Sequence, residues 1–166
     1  MKFSGRTIFL ALFVICSGLL GFGLYLQYVE GTEPCPMCIL QRYAFISIAL
    51  LGLIAGIHHP ARLGQRIYAA LLLLLSLVGG SIAARQSWLQ LNPSPFGECG
   101  PDMAYMINTF PISEALPMIF NGSGDCSKVD WTLFGLSIAN WSFLCFLAIC
   151  IAAILIFWGK CIRAPR

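Results

Sequence analysis

The chain has 166 residues, of which 58% are hydrophobic and only 10% charged, where an average soluble domain carries about 25% charged residues. Its net charge is +3. That balance excludes an ordinary water-soluble enzyme, and the lack of a basic patch or a phosphate-cradling glycine loop sets aside nucleic-acid and nucleotide binders, leaving a membrane-embedded chain.

The first element is an apolar stretch over residues 7–29, long enough for a hydrocarbon layer that takes roughly 20 helical residues to cross. Lys2 and Arg6 precede it, as they would a cleaved secretion signal. It is long for a signal core, however, lacks an Ala-x-Ala site, and sets bulky Phe13-Val14-Ile15 before Cys16, so a retained span is expected. Residues 39–57, 67–84 and 141–158 form three further spans, and none of the four holds an acid. Backbone amides in lipid must be bonded within their own segment, so each span is expected to be helical. The expected fold is all-α, a single four-span membrane domain over residues 1–166 built as a four-helix bundle.

Charge orients the bundle, because lysine and arginine accumulate on the cytoplasmic side. Lys2, Arg6, Arg62, Arg66, Lys160, Arg163 and Arg166, seven of the ten basic residues, fall on one side together with both termini. All seven acids, Glu30, Glu33, Glu98, Asp102, Glu114, Asp125 and Asp130, fall in the segments left for the other side. Those are a short outer loop, residues 30–38, and a long one, residues 85–136. Between residues 103 and 120 the long loop carries Met103, Tyr105, Met106, Ile107, Phe110, Leu116, Met118, Ile119 and Phe120, and a short interfacial helix lying on the membrane is expected there.

Of eight cysteines, Cys35, Cys38, Cys99 and Cys126 lie outside, where disulfides persist, and suffice for two pairs. Cys16, Cys145, Cys150 and Cys161 lie in or at the end of spans and read as small buried hydrophobes. The outer motif Cys35-Pro36-Met37-Cys38-Ile39-Leu40-Gln41-Arg42 places proline where the first turn of a helix favours it, making Cys35 the N-cap. A thiolate there faces unsatisfied amide N–H groups and the positive end of the helix dipole, which lowers its pKa and suits the pair to exchange. Arg42 follows Cys38 by one turn on the same face; its fork can stabilise a thiolate or donate to an electron-rich ligand oxygen, and Gln41 adds a further donor. As a bare headgroup anchor Arg42 would need no such role. Cys99 and Cys126 each sit in turn-rich chain, and a disulfide closing the 26 residues between them would by itself stabilise the loop by roughly 3–4 kcal/mol. At this point a structural bridge and a shuttling one both remain open.

These residues carry a resemblance. Cys-Pro-x-Cys-x-x-Gln-Arg at 35–42, Pro-Ser-Pro-Phe at 93–96 before Cys99, and Ser-Gly-Asp-Cys at 123–126, on four spans, resemble the bacterial disulfide bond formation protein B family of quinone-linked oxidases over nearly the whole chain. The resemblance implies a quinone-dependent protein-disulfide oxidoreductase of the bacterial inner membrane, multi-pass, with its redox loops in the periplasm. It implies that a reduced soluble periplasmic thioredoxin-fold disulfide oxidase (DsbA-like) attacks a Cys99–Cys126 disulfide at Cys99. Electrons then pass to Cys35–Cys38, with Cys38 against the ring of a membrane quinone, ubiquinone or menaquinone, and Arg42 stabilising it. The implied acceptor suits the energetics, since a soluble oxidase near about −120 mV is not reoxidised by a thiol pool at about −180 mV or lower. Some members of the family carry histidine near the start of the long loop, where this chain has Arg85-Gln86, a departure that bears on proton handling.

Two other classes compete. One reading takes the four outer thiolates as a zinc or copper site, but Cys99 and Cys126 are far apart in sequence and no histidine lies outside, unlike the closely spaced ligand pairs of structural zinc. A membrane scaffold with two structural disulfides is the other, distinguished by pairs that stay oxidised whatever the quinone supply.

Overall fold

Hydrocarbon offers no partner to a peptide group, so the long apolar stretches close their hydrogen bonds along their own axes. The computed structural model describes residues 5–32, 34–92, 109, 111, 129 and 131–159. Within them run α1 (Gly5–Tyr28), α2 (Pro36–His58), α3 (Arg62–Leu91), two short strands β1 (Thr132–Leu133) and β2 (Leu136–Ser137), and α4 (Ile138–Phe157). All four helices are long and apolar enough to cross a membrane, and the protein is a four-helix bundle. The interfacial helix expected near residues 103–120 lies outside the described residues.

Local chemistry sets the ends. Ser137 caps α4 by accepting from the Asn140 N–H at 3.4 Å. At the other end of α2, His59 takes a left-handed conformation (φ 47°) and its N–H closes on the Ala55 carbonyl before Pro60 turns the chain into α3. The largest difference from the sequence expectation is in α3, which continues past Ala84 to Leu91. Hydropathy falls at Arg85-Gln86-Ser87, but the helical spacing of its buried residues, Leu72, Ser76, Gly79, Ala83 and Gln86, does not. Thirty residues of helix reach about 45 Å, beyond a hydrocarbon core of about 30 Å, so the last turns of α3 can carry polar side chains into the outer interface.

The hairpin β1–β2 was not expected from sequence. Its register pairs Thr132 with Ser137 and Leu133 with Leu136, and both turn residues, Phe134 and Gly135, have positive φ (54° and 77°), the geometry of a two-residue hairpin turn. Trp141 donates from Nε1 to the Leu133 carbonyl at 3.1 Å, and Trp131 meets Phe22 of α1 edge-on at 5.5 Å.

Packing runs in sequence, α1 on α2, α2 on α3 and, most extensively, α3 on α4. Phe9, Leu12 and Cys16 of α1, Phe45 and Ile48 of α2, Leu72 of α3, and Phe146 and Ile149 of α4 make one core. At its centre the rings of Phe45 and Phe146 stack at 4.2 Å. Val14, Ile54, Leu74 and Ile151, each more than half exposed, form the outward surface that lipid would cover. Without a hydrophobic drive between helices in lipid, small residues permit close approach. A Cβ on Gly52 would stand 2.9 Å from the Phe9 carbonyl oxygen, and one on Gly79 would stand 2.4 Å from the Phe146 ring.

Gly79→Ala should therefore destabilise the detergent-solubilised protein by about 1–3 kcal/mol, read as a shifted midpoint in denaturant titration. Phe146 is held by its stack on Phe45 and has no room to yield. Gly21→Ala, with nothing within 4 Å of its new Cβ, should leave the midpoint unchanged or raise it.

Candidate functional site

The site begins where α2 begins. Cys35 is the N-cap, its backbone extended (φ −65°, ψ 161°), with Pro36 in the first turn and its sulfur accepting from the Cys38 N–H at 3.4 Å. One helical turn brings Cys38 back over Cys35, and the sulfurs stand 3.0 Å apart with Cys35 donating to Cys38. That is longer than a covalent S–S bond of about 2.05 Å and closer than two unbonded sulfurs usually approach. Cys35 is 8% exposed and Cys38 is half-buried. Met37, fully buried, packs with Ile82, Leu40 and Leu89 and so fixes the motif against α3.

Gln41 and Gln86 meet behind the cysteines. Gln41 of α2 donates from Nε2 to Gln86 Oε1 of α3 at 2.7 Å. Gln86 in turn donates from Nε2 to Cys35 Sγ at 3.3 Å and to Cys38 Sγ at 3.1 Å. Both glutamines are 3% exposed. Gln41 thus spends an N–H on another side chain, while still lining the cavity described next.

Arg42 reaches across to α1, donating from Nη1 to Gln27 Oε1 and from Nη2 to the Gly23 carbonyl at 3.1 Å. This holds the guanidinium at the wall of a cavity of about 280 Å³, close to the lower end of small-molecule pockets at about 300 Å³. Cys38 and Arg42 line that cavity together. Its other walls are largely apolar, with Leu19, Leu20, Phe22 and Leu26 of α1, Phe45 of α2, and Ile138, Trp141 and Cys145 of α4; Trp131 and Leu133 of the hairpin segment line it too. Ser137 donates to Gln90 Oε1 at 2.6 Å, joining the start of α4 to the last turn of α3 at the same cavity.

Of the residues singled out in the sequence, Cys35, Cys38, Gln41 and Arg42 are brought together here. Cys99 and Cys126 lie outside the described residues, as does Cys161. Cys16 is buried in the core, whereas Cys145 both packs against that core and lines the cavity. Gln86, noted in the sequence only as a departure from the family's histidine and placed at the start of the long loop, is the site residue the sequence did not assign. The signal that reaches it is the spacing of α3, which puts Gln86 on the stripe of Gly79 and Ala83.

Comparison with known proteins gives a consistent result. A family model for disulfide bond formation protein DsbB matches residues 5–156. The chain is 60% identical over 158 residues to disulfide bond formation protein B of Aromatoleum aromaticum (strain EbN1), covering 95% of each chain. It is 54% identical over 158 residues to the protein of that name from Azoarcus sp. (strain BH72), again covering 95% of each. Identity to the corresponding protein of Methylococcus capsulatus (strain Bath) is 46% over 157 residues, 94% of this chain and 96% of that one.

The burial pattern sets an order of thiol reactivity. In the folded, reduced protein, iodoacetamide should modify half-buried Cys38 several-fold faster than Cys35 and leave Cys16, at 0% exposure, unmodified until denaturant is added. Peptide mass spectrometry over a time course reads all three, and early labelling of Cys16 would contradict the packing described.

Proposed function

This chain belongs to the disulfide bond formation protein B family, and from that membership we propose that it reoxidises a soluble periplasmic thioredoxin-fold disulfide oxidase and passes the electrons to a membrane quinone. The observation that carries the reading is a cysteine pair at a helix N-terminus opening onto an apolar cavity whose wall holds a guanidinium. In net terms a partner dithiol loses two electrons and two protons and becomes a disulfide. The quinone supplies the sink, taking up the same two electrons and two protons to become a hydroquinone.

Family resemblance assigns the roles of Cys99 and Cys126, and position in the fold suggests those of the others. Cys99 takes the partner's thiolate in a mixed disulfide as Cys126 leaves as a thiolate; the partner's second thiolate then displaces Cys99 and forms the partner's disulfide, and the Cys99/Cys126 dithiol so released reduces the Cys35–Cys38 disulfide by exchange as its own disulfide re-forms. Cys35, at the cap, is stabilised as a leaving thiolate by the helix N-terminus. Cys38 is the sulfur directed to the quinone, being the more exposed of the two and sharing the cavity with Arg42. Arg42, anchored to α1 through Gln27 and Gly23, would offer its remaining N–H groups to an electron-rich oxygen of a quinone held in the cavity, and Gln41 lines the same wall. Apolar side chains of α1 and α4 exclude water from the sulfur and accommodate a lipid-soluble ring.

Topology supports the same arrangement. The motif lies at the end of α2 opposite the His59-Pro60 turn and the basic residues Arg62 and Arg66. With those basic residues cytoplasmic, the cysteine pair faces the periplasm of a bacterial inner membrane.

Quinone reduction by the purified protein in detergent, with a reduced thioredoxin-fold oxidase as electron donor, tests the reading. Cys38→Ala and Cys99→Ala should each abolish turnover. Arg42→Met should raise the quinone KM about 10- to 100-fold, the worth of a charged hydrogen bond. If several quinones and donors yield no turnover, the relay is wrong: stoichiometric zinc would then favour the metal site, and its absence the disulfide-stapled scaffold.

A further inference from the structure

Gln86 stands outside the relay just described, yet it touches both sulfurs. Its Nε2 carries two hydrogens, and the two contacts, 3.3 Å to Cys35 and 3.1 Å to Cys38, use one for each. The two sulfurs stand 3.0 Å from each other, and Cys35 Sγ also accepts from the Cys38 N–H at 3.4 Å. The amide thus offers a fixed donor to each sulfur, whichever of the two carries the charge when the pair is reduced.

An amide can turn over and present its oxygen instead. Gln41 opposes this: its N–H lies on Gln86 Oε1 at 2.7 Å, with both side chains 3% exposed, so Gln86 turns only if Gln41 turns with it. Turning Gln86 alone would set two NH2 groups against each other and aim a carbonyl oxygen at sulfur lone pairs, leaving buried donors unsatisfied. The bond crosses from α2 to α3, so the orientation is secured by the packing of the two helices. Because an amide has no labile proton to surrender, position 86 holds and orients without relaying protons.

We propose that Gln86, held by Gln41, is a positioning residue that donates one N–H to each sulfur of the Cys35–Cys38 pair and thereby favours its reduced form. A thiolate is a stronger acceptor than a disulfide sulfur, so the two contacts strengthen on reduction. The effect is on the redox equilibrium of the pair and rests on the reading of Cys35–Cys38 as an exchanging dithiol, without requiring quinone or partner.

The test is a redox titration of the full chain in detergent, in a Cys99→Ala, Cys126→Ala background that leaves one outer pair. Dithiothreitol supplies the electrons: its dithiol becomes the cyclic disulfide as the Cys35–Cys38 disulfide becomes two thiols. Alkylation and mass spectrometry count the reduced pair. Gln86→Met, of similar length but without a donor, should lower the equilibrium constant for reduction about tenfold, equivalent to about 30 mV for two electrons. Gln41→Met should lower it several-fold, and the double variant should fall no further than Gln86→Met alone. A Gln86→Met protein that titrates within twofold of its parent overturns the proposal, as do effects of the two changes that simply multiply. If Gln86→Met does not fold, as judged by circular dichroism, Gln41→Met decides, and an unshifted titration overturns the proposal. A parent pair that does not cycle at all defeats the thiol-exchange function and this inference together, whereas a cycling parent with unshifted variants defeats this inference only.

Discussion

The bilayer's refusal to hydrogen-bond a peptide group is the constraint from which the rest follows. It commits the backbone of the four long segments to helix and leaves their lipid-facing surfaces with nothing to do but be apolar. Polar chemistry is displaced to helix ends, where the first amide N–H groups have no intrahelical partner. Cys35 occupies such an end, and Pro36, which has no N–H to lose, starts the helix immediately after it. The reactive pair is thus part of the helix start itself, and one turn of helix suffices to bring its two sulfurs together.

What surrounds the pair is supplied by three other helices. α3 brings Gln86 to the sulfurs and Ile82 and Leu89 to the motif's buried side. α1 tethers Arg42, and α4 with the hairpin segment closes the cavity with Trp131, Leu133 and Trp141. The tight crossing of α3 on α4 at Gly79 and Phe146, and the stack of Phe146 on Phe45, transmit the packing of the core to the floor of that cavity, since Phe45 belongs to both.

The four spans were legible because apolar length is a one-dimensional property, and the N-cap role of Cys35 because proline after a polar residue has a local meaning. The Cys-x-x-Cys spacing, Arg42 one turn further and the family-like loop motifs were legible for the same reason. Less legible was the end of α3, where hydropathy drops at Arg85 but helical spacing persists to Gln86; a hydropathy window averages over both faces and so ends the span too early. The hairpin escaped notice because its strands are two residues each and its turn places Phe134, not the customary asparagine or aspartate, at positive φ.

By itself, then, the sequence determined the membrane class, the number of spans, the helix start at Cys35 and the closeness of Cys35 to Cys38, since each depends on residues adjacent along the chain or one turn apart. Only the tertiary structure decided what the pair touches. The Gln41–Gln86 bond joins residues 45 positions apart, Gln86 meets Cys35 across 51, and Arg42 is tied to Gln27 and Gly23 on a different helix. Such contacts depend on helix rotation and crossing, which follow from side-chain packing at Gly52, Gly79 and Phe146 and leave no pattern along a single segment.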